Sequence, residues 1–334
     1  MAAGALGGFV KRRDFITLLA GAAVLWPRMA WAQRTTPPVV GFLGFGTASA
    51  SANRVAALRE GLRELGYVEG KNITIEFRWA ETIDELRERA AELVRMNVDV
   101  IFATSSTEVG AAKEVTKAIP IVFATHADPI GTGHVTSLPR PGGNITGLSV
   151  MQSDLTAKAL AILKEAVPQL TRLGVFWNST VASGRPTLQS AEAAGAKLGI
   201  QIYSVPVRAS KDFDGAFATM ARERVGGVFV AASTLTRVER TPLAQLAIKH
   251  RLPSMFGTRE NVEAGGLMSY APDQADLTRR AATYIDKIIK GDKPAGLPVE
   301  QASKYRLAIN LGTAKQLGLH LPPTLLALAD DLID

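Results

Sequence analysis

Cysteine is absent from all 334 residues, and with it go disulfides, thiolate metal sites and cysteine nucleophiles. Stability therefore rests on buried apolar area, which a 47% hydrophobic composition supplies amply. No block of lysine and arginine is present to grip a phosphate backbone, so nucleic acid is not an expected partner. The apolar stretch near the start, residues 15–26, is interrupted by Thr17 and Gly21 and falls well short of the ~20 residues that span a bilayer. Enzyme signatures are missing as well: there is no GxSxG elbow, HExxH helix or Walker loop. The histidines His126, His134, His250 and His320 share no metal-ligand spacing, so no metal or other cofactor is expected.

What is present at the start is an export address. Lys11, Arg12 and Arg13 precede the apolar stretch, and Ala30-Trp31-Ala32 forms a small-x-small site, so residues 1–32 read as a secretory signal peptide cut after Ala32. The paired arginines point to the twin-arginine route, which carries folded proteins. Losing the segment lowers the net charge from +7 to +4, because it carries four basic side chains and Asp14. With no cysteine after the cut to take a lipid, the remaining chain is expected free in a periplasm.

From Pro38 onward, short β-branched runs alternate with amphipathic stretches, the order of a parallel sheet covered by helices. Strands are expected near residues 39–43, 73–79, 98–103 and 120–124, with helices near 53–65 and 83–96. A Gly/Pro-rich stretch, residues 128–147, then breaks the rhythm and reads as a passage between lobes. A second αβ set follows, with strands near 172–177, 201–205, 227–231 and 254–256 and a long helix near 273–289. Two such halves place a cleft between the carboxyl ends of their strands. Gly44-Phe45-Gly46 imitates the opening of a dinucleotide fingerprint, but the third glycine and the later acidic residue are missing, so it reads as a turn that lets a ligand approach the backbone.

Four segments carry a resemblance: LRELGYVEGKNITIEFRWA (62–80), DPIGTGHVTSLPRPGGNITG (128–147), GGLMSYAPD (265–273) and LPVEQASKYRLAINLGTAKQLGLHLPPTLLALAD (297–330). Together they resemble ABC-transporter substrate-binding proteins of the tryptophan- or tyrosine-uptake branch, which have the type I periplasmic-binding-protein fold. That fold implies two Rossmann-like lobes, each a parallel sheet flanked by helices, joined by hinge crossings. The expected division is residues 33–147 with about 274–296 in the amino-terminal lobe, and 148–273 with about 297–334 in the carboxy-terminal lobe. The resemblance implies a monomeric periplasmic solute-binding protein, not an enzyme, that passes an amino acid or related small carboxylate to an inner-membrane permease with a cytoplasmic ATPase. A receptor for a membrane signalling protein and a secreted enzyme are the alternative readings.

Candidate ligand residues cluster at strand ends. Thr104, Ser105 and Ser106 are short hydroxyls at a helix start, where free amides and the helix dipole favour a carboxylate by roughly 0.3–1 kcal/mol; in relatives this loop and the one bearing Thr125 hold the acidic end of the ligand. His126 offers one donor and one acceptor. Asp128, before Pro129, suits either a turn or a ligand amine. Phe45 and Tyr270 are the aromatic faces best placed to hold a ring, with Thr47 beside the first. Asn178, Ser233 and Thr234 are the counterparts in the second half, and Arg259 is a candidate anchor for an anion.

Overall fold

The computed structural model describes Met1 and residues 36–334. The expected export segment and its cut after Ala32 lie outside the described residues. Pro38–Asp334 is a single unit by its internal contacts. It contains two sheets.

The first sheet is built from β1 (Val39–Phe45), β2 (Thr74–Ala80), β3 (Val100–Ser105), β4 (Ile121–His126), β5 (Ile145–Ser149) and the short β11 (Glu300–Gln301), in the order β11-β5-β4-β3-β1-β2. Every pairing in it is parallel. Alternation along each strand sorts the side chains onto two faces. Val40, Phe42, Val100, Phe102, Val122 and Ala124 pack on α1 (Ala52–Glu64) and α10 (Gln274–Ile289), while Leu43, Ile101, Ala103, Ile121 and Phe123 pack on α2 (Ile83–Arg95) and α3 (Ser106–Val115). Both faces are covered, which is why these strands read as continuous apolar runs.

The second sheet has the order β13-β12-β10-β9-β8-β6-β7. Its strands are β6 (Arg172–Asn178), β7 (Gln201–Val207), β8 (Val228–Val230), β9 (Ser254–Phe256), β10 (Met268–Pro272), β12 (Tyr305–Asn310) and β13 (Asp331–Ile333). Only β10 and β12 pair antiparallel among the described strands. Leu173, Val175 and Phe229 face α4 (Gln152–Ala166) and α5 (Gly184–Leu198); Phe176, Val228 and Val230 face α6 (Phe213–Arg222) and α8 (Arg240–Lys249). Strand order reverses between β1 and β3 in one sheet and between β6 and β8 in the other. Those reversals open crevices beyond the carboxyl ends of the strands.

The stretch 128–147 is not itself the passage between lobes. Its end enters β5, and Ile121 to Phe123 pair with Ile145 to Gly147, so the chain leaves the first sheet only after Ser149. It turns there through Met151, a non-glycine residue with φ of 42°. The last return also comes later than 297, because β11 still pairs with β5 and Ala302 N–H donates to Ser149 O. Two strands of the second sheet, the inner β10 and the edge strand β13, are short and were not expected, since neither has enough residues to show alternation.

Helix α10 follows a strand of the second sheet yet belongs to the first. Gly61 on α1 makes this possible: a Cβ there would lie 2.1 Å from the Arg279 carbonyl oxygen of α10. Gly61→Ala must push the helices apart and is expected to cost roughly 1–3 kcal/mol, the usual penalty for overpacking. A thermal midpoint unchanged in the variant would contradict this packing.

Candidate functional site

One cleft of about 860 Å³, counting its mouth, opens at the carboxyl ends of the strands and is walled by both sheets. From the first sheet come Thr104 and Ser105 at the end of β3, Ser106 and Thr107 at the start of α3, Thr125 and Ala127 around β4, and Arg54 from α1. The second contributes Ala232, Ser233, Thr234 and Arg237 after β8, Gly257 and Thr258 after β9, and Tyr270 and Pro272 in β10. Gln152, Leu155, Thr156 and Ala159 of α4 line it too, with Val181, Ser183 and Phe229. The wall from the first sheet is hydroxyl-rich, and much of the opposite wall is apolar.

The two walls touch. Ser105 Oγ and Thr234 Oγ1 are 3.1 Å apart, Arg54 meets Glu260 at 3.4 Å, and Arg237 Nη2 donates to Phe45 O at 3.3 Å. These contacts hold the lobes closed over the cleft.

Glu108 organises the hydroxyl wall from behind. Its side chain is fully buried, Thr104 Oγ1 donates to one oxygen at 2.7 Å, and Ser105 Oγ donates to the other. Thr125 Oγ1 donates to Thr104 O at 2.7 Å. Ser106 Oγ accepts from Ala127 N–H at 3.0 Å and lies 3.1 Å from His126 Nδ1. That ring nitrogen also faces the Asp128 N–H at 3.2 Å, so it must be an acceptor, and the proton sits on Nε2. Nε2 in turn meets His134 Nδ1 at 2.7 Å. Burial, reinforced by the neighbouring ring, holds His126 well below its ordinary value. Burial pushes His134 down to about 4, with Lys113 adding to the effect. The Ser106–His126 contact holds the serine hydroxyl in place.

Residues 46–333 match the family model described as ABC transporter substrate binding protein. The chain belongs to that family. A tyrosine-binding protein of Clostridioides difficile is 25% identical over 259 residues, 77% of this chain and 74% of the relative. A conserved domain protein of Vibrio cholerae superposes with a TM-score of 0.84 at 26% identity, over 89% of this chain and all of that one. An ABC domain from Streptococcus pneumonia in complex with L-Trp gives 0.81 at 24% identity, over 88% and 100%. The wider likeness extends to a leucine-binding protein of Thermotoga maritima at a TM-score of 0.54, 15% identity and 78% of each chain, which places the fold in the type I periplasmic-binding class. The family is one of substrate-binding proteins.

In this substrate-binding protein, seven residues expected at the ligand site from sequence line the cleft: Thr104, Ser105, Ser106, Thr125, Ser233, Thr234 and Tyr270. Ser233 also caps the short helix α7 (Thr234–Val238), accepting from Thr236 N–H at 3.1 Å. Six others lie elsewhere. Phe45 packs half-buried against the first core, and Thr47 is exposed and pairs with Ser49 at 3.0 Å. His126 is wholly buried behind Ser106. Asp128 takes the turn role, accepting from Gly131 N–H at 2.8 Å, and Asn178 Oδ1 closes a turn on Thr180. Arg259 sits on the outer surface, paired with Glu263 and, at 3.1 Å, with Asp331.

Arg54, Gln152 and Arg237 were missed. With its amide turned to suit the Ala232 backbone, Gln152 accepts from Ala232 N–H at 2.8 Å and donates to Ala232 O at 3.3 Å. Arg54 did leave a trace: a cation in the first turn of a helix opposes the dipole and asks for another reason to be there. Arg237 left none, since its short helix has no periodic pattern to read.

The histidine pair makes stability depend on pH. Both groups titrate lower in the folded chain than the ordinary 6.5, so the unfolded chain binds more protons between about 4 and 6.5. The contribution is intact above 6.5 and is lost as pH falls through that window. The ligand-free midpoint is expected to drop by several degrees between pH 7 and 4.5, and His134→Gln should flatten the drop. An identical pH profile in the variant would remove His134 as its cause.

Proposed function

We propose that the cleft takes one small molecule, an L-amino acid or a related small carboxylate, and that the closed protein hands it to an inner-membrane permease driven by a cytoplasmic ATPase. The observation that carries this reading is the convergence of side chains from both sheets on one cleft, with Ser105 and Thr234 joining across it. A ligand that touches both walls binds the closed form better than the open one and shifts the population toward it. Moving from mostly open to mostly closed takes about 5.5 kcal/mol of differential affinity, which asks for contacts from both lobes.

The amino-acid class is supported by the tyrosine-binding relative and by the makeup of the cleft, where Phe229, Leu155 and Tyr270 face a polar wall. Tyr270 is held for such a role by stacking on Tyr305 at 5.9 Å between centroids. An aromatic or large apolar side chain would lie on that side and the charged backbone groups on the other. We read the protein as periplasmic, reached by the twin-arginine-type leader with its cut after Ala32, and as a monomer that makes and breaks no bond in its ligand. Among the described residues no helix is long and apolar enough to cross a membrane.

A thermal-shift screen of the common L-amino acids, aromatic acids, purines and sugars tests the class. At a hundred times the dissociation constant, a ligand that binds only the folded chain adds about 2.7 kcal/mol. An aromatic L-amino acid is expected to raise the midpoint by several degrees; a screen in which only sugars or purines did so would overturn the reading. For whichever amino acid binds best, Ser105→Ala combined with Thr234→Val removes the bridge between walls and should weaken binding at least tenfold by calorimetry.

A further inference from the structure

The hydrogens of the hydroxyl wall are already committed. Thr104 and Ser105 donate to Glu108, Thr125 donates to a backbone carbonyl, and Ser106 has its hydrogen drawn to His126 Nδ1, which the Asp128 N–H shows to be unprotonated. With Ser105 donating inward, Thr234 must donate to Ser105 across the cleft. These side chains can therefore offer the cleft only lone pairs, and behind two of them stands a buried carboxylate. Hydroxyls that present only lone pairs, with a carboxylate behind two of them, attract an ammonium group.

The donor lies elsewhere. Arg237 lines the cleft, is only 6% exposed, and its Nη1 is buried without a hydrogen-bond partner. Its Nη2 has a single contact, at 3.3 Å, with Phe45 O. Burial pushes its pKa down to about 9; the Arg54 charge adds to the effect, and the carboxylates of Glu108 and Glu260 oppose it without either making a hydrogen bond to the guanidinium. Arg54, the other cation of the cleft, is already engaged by Gln274 and Glu260. An unpaired buried donor on an ion costs several kcal/mol unless a partner arrives. Thr234 and Arg237 are three residues apart on one short helix, so the unpaired donor sits on the same face as the hydroxyl that meets Ser105.

We infer that Arg237 receives the ligand's carboxylate and that the wall of Thr104, Ser105, Ser106 and Thr125 in front of Glu108 receives its ammonium, so the cleft selects a zwitterion and sets its orientation. The hydroxyl cluster is the acceptor of a cation, the reverse of the role its place at a helix start suggests. This rests on the amino-acid reading above and adds to it which group each lobe holds.

The test uses L-tyrosine, tyramine, which lacks the carboxylate, and 3-(4-hydroxyphenyl)propionate, which lacks the ammonium, titrated calorimetrically into the wild type, Arg237→Met and Glu108→Gln. Arg237→Met is expected to weaken L-tyrosine at least thirtyfold and leave tyramine within threefold of the wild type. Glu108→Gln should weaken L-tyrosine and tyramine at least tenfold and leave the propionate within threefold. If Arg237→Met does not fold, Arg237→Lys keeps the charge but loses the planar fork, and should still weaken L-tyrosine at least fivefold without affecting tyramine. L-tyrosine binding unchanged in the arginine variants, or propionate binding lost in Glu108→Gln, would overturn the orientation while leaving the amino-acid reading intact. A wild type that binds neither L-tyrosine nor any other L-amino acid would overturn both.

Discussion

A parallel strand can be followed by another only after a crossover, so strands paired in parallel run the same way and their carboxyl ends fall on one edge, as in all of the first sheet and in β6 to β10 of the second. This constraint decides where everything else in the protein sits. The loops after β3 and β4 must emerge beside one another, and so must those after β8 and β9. When two such sheets are joined with these edges facing, the polar loop residues meet across a cleft. Apolar side chains stay in the four clusters that sandwich the sheets. Helix α10 shows how strongly packing enforces the division, because it leaves the second sheet to cover the first and needs a glycine at the contact.

Within the cleft, one buried carboxylate has disproportionate influence. Glu108 lies on α3 facing back toward β3, where it fixes two hydroxyl hydrogens and the direction in which their lone pairs point. The His126–His134 pair does the same for Ser106 through a tautomer that the Asp128 amide dictates. Hydroxyls that would otherwise rotate to suit any ligand are held with their hydrogens inward. Rigid polarity of this kind discriminates between charged groups, since the wrong one meets a donor or acceptor it cannot pair with. The lobes then add selectivity for closure, as Ser105 belongs both to this network and to the bridge with Thr234.

Much of the architecture was legible beforehand. The strands at 39–45, 100–105 and 121–126 announced themselves because sheets covered on both faces demand uninterrupted apolar runs, and α2 showed a clear amphipathic stripe through Leu86, Ala90 and Leu93. What went unread was short or disguised. β5 hides behind a Gly/Pro-rich approach and carries Gly147 at φ of 146°, where a Cβ would meet the Phe123 backbone. At the site, strand-end position was a good guide for the hydroxyls and for Tyr270. It failed for Phe45, His126, Asp128 and Asn178 because a side chain at a strand end can point toward the core or back onto its own turn as readily as into a cleft.

Residue order alone determined that the chain makes two parallel αβ halves, and that short hydroxyls end up at the strand ends of the first, because periodicity and helix-start chemistry are local. It also determined the family, through long motifs in a fixed order. Only the tertiary structure decided which way those hydroxyls point and where the unpaired cation lies. Glu108 and His126 act on their neighbours through hydrogen bonds across turns, and Arg237 meets the site from a helix more than a hundred residues away in the chain, so direction and charge balance arise from contacts that no local pattern encodes.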